Sequence, residues 1–127
     1  KKNGHKIFIV GIESITAVNN LDNLIEKGPI DGVFVGPNDL STSMGIPDEL
    51  ENSEYIDALT KIINISESHN IPVMVHGFTP ERTLKTMELG ARFVLHSSDG
   101  GMITQSIDRE FSTIRDENLG VTENEAI

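Results

Sequence analysis

The sequence predicts an α/β fold in which four parallel strands alternate with four helices. Three observations support this. Four short apolar runs rich in β-branched residues are typical of strands, each precedes a segment with helical spacing of apolar residues, and no low-complexity linker interrupts the series. The strands are apolar on both faces, so helices must cover the sheet. The predicted strands are 7–12, 31–35, 71–77 and 92–96.

The first two βα units are separated by clear boundary signals. Ser14 can cap a helix, and Gly28-Pro29 ends it. The apolar positions of this helix are Ile15, Val18, Leu21, Leu24 and Ile25. The second strand stops at Gly36-Pro37, and residues 36–45 are predicted to form a loop of small polar residues. The next helix is predicted over 54–69.

The third and fourth units have the same organisation. Thr79-Pro80-Glu81 supplies a cap, a proline at the first helical position and an acid in the first turn, and this helix ends at Gly90. After a predicted turn at 97–101, a last helix carries apolar residues up to Ile114. We expect residues 1–115 to form one domain and 116–127 an acidic flexible tail.

Four βα units amount to half of a (β/α)₈ barrel, which usually needs about 250 residues. An open doubly wound sheet is the alternative. Crossovers of even size, acids at successive strand ends and the absence of a Gly-x-Gly-x-x-Gly turn favour the half-barrel. Its two open edges need partners. Because the chain starts at Lys1, we expect the other half to come from a preceding segment or a second copy of the chain.

Composition narrows the function classes. A formal net charge of -10 and a pI near 4.7 argue against nucleic acid or an anionic membrane as a partner. The sequence has no cysteine, which excludes disulfides and thiolate metal sites and makes a cytoplasmic location the default expectation. No apolar run approaches the roughly 18 residues of a membrane span.

Two acids follow the first two predicted strands. Glu13 follows Ile7–Ile12, and Asp39 follows the strand that ends at Val35. Carboxyl ends of neighbouring parallel strands meet at one edge, where two oxygen ligands can hold a hard divalent cation. Taken alone, Glu13 is equally explained as a helix N-terminal acid and Asp39 as a turn residue.

The segment 31–45, Asp-Gly-Val-Phe-Val-Gly-Pro-Asn-Asp-Leu-Ser-Thr-Ser-Met-Gly, together with Ile12-Glu13-Ser14, resembles the HpcH/HpaI aldolase family. The resemblance covers most of residues 7–115 and corresponds to the last four βα units of that family's barrel. It implies a class II aldolase that reversibly cleaves a 4-hydroxy-2-oxo acid to pyruvate and an aldehyde.

The resemblance also implies the site. Glu13 and Asp39 would hold Mg²⁺ or Mn²⁺, with Co²⁺ as a further candidate, and the backbone of Gly36, Pro37, Asn38 and Asp39 would hold the substrate carboxylate. The family's general-base histidine and substrate-binding arginine belong to the first half of the barrel, which this chain does not contain. A homo-oligomer, or assembly with a complementing N-terminal half, is expected on the same basis.

Some features depart from the family or stay open. Gly11 stands where relatives often have a glutamine, and His96-Ser97-Ser98-Asp99 replaces a Val-Gly-x-Asp strand exit. His76 and His96 lie at the exits of predicted strands, and each is either a base or ligand or a hydrogen-bonded structural residue. Two alternative functions remain: a citryl-CoA lyase-like carbon-carbon lyase, and a non-catalytic half-barrel that functions only by assembly.

Overall fold

The structure is a computed structural model that describes residues 6–118. Its sheet has four parallel strands in the order β1-β2-β3-β4, as the alternating sequence predicts. The registers place Ile12 beside Val35 and Val35 beside Val75, so three strands end at nearly one level. The strands are β1 (Ile9–Ile12), β2 (Gly32–Val35), β3 (Val73–Gly77) and β4 (Phe93–His96).

Five helices follow the strands, and the chain divides into two units at His96 and Ser97. The first unit contains the sheet and four helices, and the second contains α5. Within the described residues no helix has the length and apolar character needed to cross a membrane, and a cytoplasmic location stays a prediction. The helices are α1 (Ile15–Lys27), α2 (Pro37–Ser43), α3 (Ser53–Ser68), α4 (Pro80–Glu88) and α5 (Asp99–Asn118).

The core lies between the helices and one face of the sheet. Val33, Val35 and Val75 supply the sheet side, and buried apolar positions of α1 and α3 supply the other. Of the apolar positions predicted for α1, Val18, Leu21 and Ile25 lie in the core, whereas Ile15 and Leu24 are 38% and 39% exposed. The helical members are Val18, Leu21, Ile25, Tyr55, Leu59, Ile62 and Ile63.

The opposite face of the sheet carries apolar side chains that the described chain leaves exposed. Ile9 is 42% exposed, Phe93 52% and Leu95 38%. Register pairing places Phe34, Met74 and Phe93 on this same face. A (β/α)₈ barrel fills this face with side chains from all its strands, so four strands leave it half covered.

The largest difference from the sequence-based prediction lies at 36–45. Pro37–Ser43 form the helix α2 rather than a loop, so that prediction is wrong. Pro37 suits the first helical position, Leu40 and Ser41 are fully buried, and Gly45 adopts a positive φ of 79° after the helix. Burial of Leu40 and Ser41 against other elements stabilises a helix that the polar composition of the segment does not favour.

Other boundaries differ by a few residues. Strand β1 begins at Ile9 rather than at residue 7, and α5 begins at Asp99, inside the predicted turn at 97–101. Helix α5 continues to Asn118 and so includes the first three residues of the predicted tail; residues 119–127 lie outside the described residues. The caps at Ser14 and Thr79 are confirmed, since each side chain accepts a backbone N–H from the first helical turn.

A charged cluster links the segment before α3 to α4. The carboxylate of Glu51 forms a salt bridge with Lys85, and Arg82 Nε lies 3.8 Å from Glu51 Oε1. Hydrogen bonding to Lys85 is the main cause that holds the pKa of Glu51 below its usual 4.5. In the same region, burial raises the pKa of the Tyr55 hydroxyl to about 12.

We predict that Ser41→Ala destabilises the protein by about 1–2 kcal/mol. The Ser41 hydroxyl donates to the Asn38 carbonyl at 3.0 Å and accepts from the Asp48 N–H at 3.1 Å, and both bonds are lost. Urea unfolding measures the change, with Thr42→Ala on the exposed side of α2 as the control. Equal stability of the two variants would contradict a structural role for Ser41.

We predict that Glu51→Gln lowers the free energy of unfolding at pH 7 by less than about 1 kcal/mol, because the ion pair is solvent-exposed. The pKa is depressed in the folded state, so this stabilisation is present above pH 4.5 and is lost as the pH falls through the folded pKa. Unfolding at several pH values measures it, with Glu88→Gln on α4 as control. A difference that grows toward acid pH would contradict this sign.

Candidate functional site

The candidate site lies at the carboxyl ends of β1, β2 and β3. Ile12, Val35 and Val75 are in register, so the residues that follow them, Glu13, Gly36 and His76, reach the same level of the sheet. A cavity of about 180 Å³ opens there. Its lining residues are Glu13, Phe34, Gly36, Pro37, Asn38, Asp39, His76 and Phe78.

Glu13 occupies a defined position between two strand ends. It follows the fully buried Ile12 and precedes Ser14, which caps α1. A Cβ atom added to Gly36 would lie 3.0 Å from Glu13 Cγ and 3.2 Å from Oε1, and one added to Gly11 would lie 3.3 Å from Oε1. Two glycines therefore leave the space that the Glu13 carboxylate fills.

Asn38 and Asp39 lie in the first turn of α2 and are exposed. The first hydrogen bond at this helix start runs from the Leu40 N–H to the Gly36 carbonyl at 3.0 Å. The N–H groups of Asn38 and Asp39 therefore precede the first intrahelical donor. Pro37 has no N–H, so it shapes this segment but donates nothing.

Buried residues hold the start of α2 in place. Leu40 packs in the core, and Ser41 connects Asn38 to Asp48 through its hydroxyl. The Ser43 hydroxyl accepts a hydrogen bond from the Ile15 N–H at 3.2 Å, which ties α2 to the start of α1. The start of α2 therefore contains two kinds of residue. Asn38 and Asp39 line the cavity, and the buried Leu40 and Ser41 hold them in position.

The two candidate histidines have different surroundings. His76 lines the cavity, and its ring centroid lies 4.3 Å from that of Phe78. His96 lies outside the lining residues, and its Nδ1 is 2.7 Å from the Thr83 hydroxyl. The absence of a side chain at Gly77 lets Thr83 lie close to β3, since a Cβ atom added to Gly77 would lie 2.9 Å from Thr83 Cα. This contact favours the structural interpretation of His96.

The chemistry of the lining residues fits a hard divalent cation. Glu13 and Asp39 supply carboxylate oxygens, which Mg²⁺ and Mn²⁺ prefer. Between residues 6 and 118, no three His, Cys, Asp or Glu side chains come together as a metal site. A cation here would therefore have two protein ligands from this chain and several positions left for water and substrate.

Comparison with known proteins identifies the family. The sequence profile of the HpcH/HpaI aldolase/citrate lyase family matches residues 1–105. That match spans most of the chain, which therefore belongs to the HpcH/HpaI aldolase/citrate lyase family.

A curated relative agrees with this assignment, and two solved structures share the fold. The 2-keto-3-deoxy-L-rhamnonate aldolase of Klebsiella pneumoniae is 30% identical over 116 residues, which are 91% of this chain and 43% of the relative. An HpcH/HpaI aldolase from Desulfitobacterium hafniense superposes with a TM-score of 0.78 at 22% identity, over 86% of this chain and 42% of that one.

The second structure is an HpcH/HpaI aldolase/citrate lyase family protein from Burkholderia cenocepacia. It superposes with a TM-score of 0.82 at 20% identity, over 86% of this chain and 42% of that one. The chain thus spans about two fifths of the length of the proteins it matches. The predicted fold class is confirmed: the four βα units correspond to part of a TIM-type barrel.

Sequence reasoning missed several lining and supporting residues. Phe34 and Phe78 were assigned no role, yet both line the cavity. The alternation of side chains along a strand could have placed Phe34 on the face shared with His76. No sequence signal identifies Ser41 as a buried support, because a serine in a polar segment is usually exposed.

Proposed function

We propose that this chain forms the metal-binding half of a class II aldolase that reversibly cleaves a 4-hydroxy-2-oxo acid to pyruvate and an aldehyde. The observation that carries the proposal is the shared cavity: Glu13, Asn38 and Asp39 line one cleft at the carboxyl edge of the sheet. Membership of an aldolase/citrate lyase family and a relative that acts as a 2-keto-3-deoxy-L-rhamnonate aldolase support it.

In this proposal Glu13 and Asp39 hold Mg²⁺ or Mn²⁺, and Co²⁺ is a further candidate. Glu13 is suited to this role because its carboxylate lies against Gly36, at the start of the segment that bears Asp39. When bound, the cation supplies positive charge beside the keto oxygen on which negative charge develops as the carbon-carbon bond breaks.

The backbone at the start of α2 binds the carboxylate of the oxo acid. The N–H groups of Asn38 and Asp39 come before the first intrahelical donor, Leu40, so they are available to an anion. Gly36 leaves room for the Glu13 side chain beside this segment, and Pro37 begins the helix without an N–H group of its own. These fixed donors would need little reorganisation during the reaction.

The proton-transfer groups and the other half of the barrel have to come from additional βα units. The exposed apolar face around Ile9, Phe93 and Leu95 supports this part of the proposal, because a group of exposed apolar side chains commonly marks a surface that another segment covers. Strands β1 and β4 lie at the two edges of the sheet, where further strands would add. A complementing N-terminal half or a second copy could supply them.

A citryl-CoA lyase-like activity is the enzyme alternative, and the family description includes citrate lyase. A CoA thioester carries phosphates that call for basic side chains. Arg82 and Lys85 are the cationic pair nearest His76 along the chain, and both are engaged by Glu51. The aldolase proposal is therefore preferred over this alternative and over a half-barrel without catalytic function.

We predict that Asp39→Asn and Glu13→Gln each weaken Mn²⁺ binding at least about tenfold, since each removes a charged ligand. Calorimetric titration of the 127-residue chain with Mn²⁺, with and without pyruvate, measures the affinity. Asp57→Asn on α3 is the control, because it removes an exposed carboxylate outside the cavity. Unchanged Mn²⁺ affinity in Asp39→Asn would contradict the ligand assignment.

The aldolase activity itself is tested by condensation of pyruvate with a small aldehyde in the presence of Mn²⁺. We expect turnover when the chain is combined with the first four βα units of the Klebsiella relative, and loss of that turnover in Asp39→Asn. If the combined protein binds Mn²⁺ and pyruvate but forms no carbon-carbon bond, the proposed reaction is wrong.

We predict that Gly36→Ala weakens Mn²⁺ binding while the fold is kept. The new methyl group would lie 3.0 Å from Glu13 Cγ, so the flexible Glu13 side chain must move away. Gly28→Ala is the matched control, because nothing lies within 4 Å of a Cβ there. Calorimetry gives the affinity and urea unfolding the stability; equal Mn²⁺ affinity in the two variants would contradict the proposed position of Glu13.

A further inference from the structure

Both edge strands of the sheet expose apolar side chains on their two faces. Six such side chains lie along the edges, and each is more than a third exposed. None of them is charged, although edge strands that stay free usually carry charges, prolines or bulges that block further pairing. The two edges therefore have the composition of strands that pair. The six residues are Ile7, Phe8 and Ile9 at the β1 edge and Phe93, Val94 and Leu95 at the β4 edge.

The extended segment at the β1 edge reaches back beyond the first residue of that strand. The Phe8 N–H donates to the Asp31 carboxylate at 2.7 Å, and the Asp31 N–H donates to the Phe8 carbonyl at 2.8 Å. These two bonds hold Phe8 beside the start of β2. On the helix side, an apolar groove of about 490 Å³ lined by Phe8, Val10 and Leu24 follows the same edge. The edge is therefore open on both faces along residues 7–10.

Two copies of a four-stranded parallel sheet contain the eight strands of a closed barrel. A two-fold axis along the barrel keeps all strands parallel and pairs β4 of each copy with β1 of the other. Because a complete (β/α)₈ barrel has a shear of about eight residues, half a turn around it shifts the register by about four residues. The two junctions are then identical, and no strand edge is left unpaired.

The observed registers select one pairing between the copies. They connect Ile12 with Val94 through β2 and β3. A shift of about four residues from Ile12 places either Phe8 or Thr16 of the second copy beside Val94. Thr16 lies in α1 and cannot join a sheet. Val94 of one copy therefore lies beside Phe8 of the other.

In this register the exposed side chains meet on matching faces. Ile7 lies beside Phe93 and Ile9 beside Leu95, because an even shift preserves the alternation of side chains. Ile7, Ile9 and Phe93 already line one small apolar cavity on the face opposite the helices.

The area of these edges is large enough for a specific contact. With about 200 Å² for a large apolar side chain and about half of each exposed, the six residues present on the order of 600 Å² per copy. One partner contributes about 800 Å² to a stable interface. The backbone groups of the two edges and the rest of the exposed sheet face supply the remainder.

We propose that a second copy of this chain docks on these edges, so that two copies form one eight-stranded barrel with two-fold symmetry. The inference rests on the proposed function for its premise that further βα units complete the barrel. The second copy supplies the missing strands but no proton-transfer groups. The dimer therefore binds the cation and the oxo acid without turnover, and condensation requires that the first half of an aldolase replaces one copy.

The mass of the chain in solution is the first test. Light scattering at micromolar concentration should give twice the 13.9 kDa of one copy. Leu95→Lys places a charge inside the junction and should weaken association at least about thirtyfold. Leu84→Lys, at an exposed apolar position on α4, is the control and should leave the mass unchanged. A mass of one copy for the unchanged chain would overturn the inference.

Single cysteines test the register, since the chain has none of its own. Ile7→Cys and Phe93→Cys, co-expressed on separate copies and oxidised, should form a disulfide-linked pair, because paired residues of neighbouring strands lie within disulfide reach. Neither variant alone should link to itself. Phe8→Cys with Phe93→Cys is the register control, since these side chains lie on opposite faces. Self-linkage of either variant, or equal linkage in the control pair, would contradict the proposed junction.

The outcomes separate this inference from the proposed function. If the dimer forms with the expected linkage but binds no Mn²⁺, the proposed function is wrong and the dimer stands. If the chain is monomeric, binds Mn²⁺ with pyruvate and forms a complex only with the first four βα units of the Klebsiella relative, the second copy is overturned and the proposed function stands.

Discussion

The in-register ends of β1, β2 and β3 are the constraint on which the candidate site depends. Because Ile12, Val35 and Val75 are paired, the next residue of each strand reaches one level, and Glu13 comes to lie against Gly36. A shift of one residue in either pairing would move these side chains to the other face of the sheet. The buried core on the helix side prevents such a shift, so ordinary apolar packing fixes the positions of the polar residues.

The strands and the helix caps at Ser14 and Thr79 were predictable from the sequence, because they follow local rules of periodicity and capping. The two acids line one cavity as their places after neighbouring strands indicate, and their role as metal ligands stays a prediction. The sequence-based prediction failed at α2, where the burial of Leu40 and Ser41 outweighs a polar, turn-like composition. That burial depends on contacts with other elements, and no local pattern contains them. The same limit applies to the histidines. Their positions at the exits of strands follow from the sequence, but the Thr83 contact of His96 and the Phe78 contact of His76 depend on packing.

The two faces of the sheet in this half-barrel have different surroundings. The helix-covered face forms a continuous core, while the other face keeps Ile9, Phe93 and Leu95 exposed. The residues that line the cleft at the carboxyl ends all belong to the first unit, and they include the carboxylates of Glu13 and Asp39. In our proposal further βα units would close the barrel, exclude water from the cleft and provide the proton-transfer groups that this chain does not supply.

The most direct test of the account is a crystal structure of the chain with Mn²⁺ and pyruvate, in which anomalous scattering locates the ion. The account predicts one ion bonded directly to a carboxylate oxygen of Glu13 and to one of Asp39, with the pyruvate carboxylate against the N–H groups of Asn38 and Asp39. An ion bonded to only one of these acids, or found outside the cleft, would contradict it.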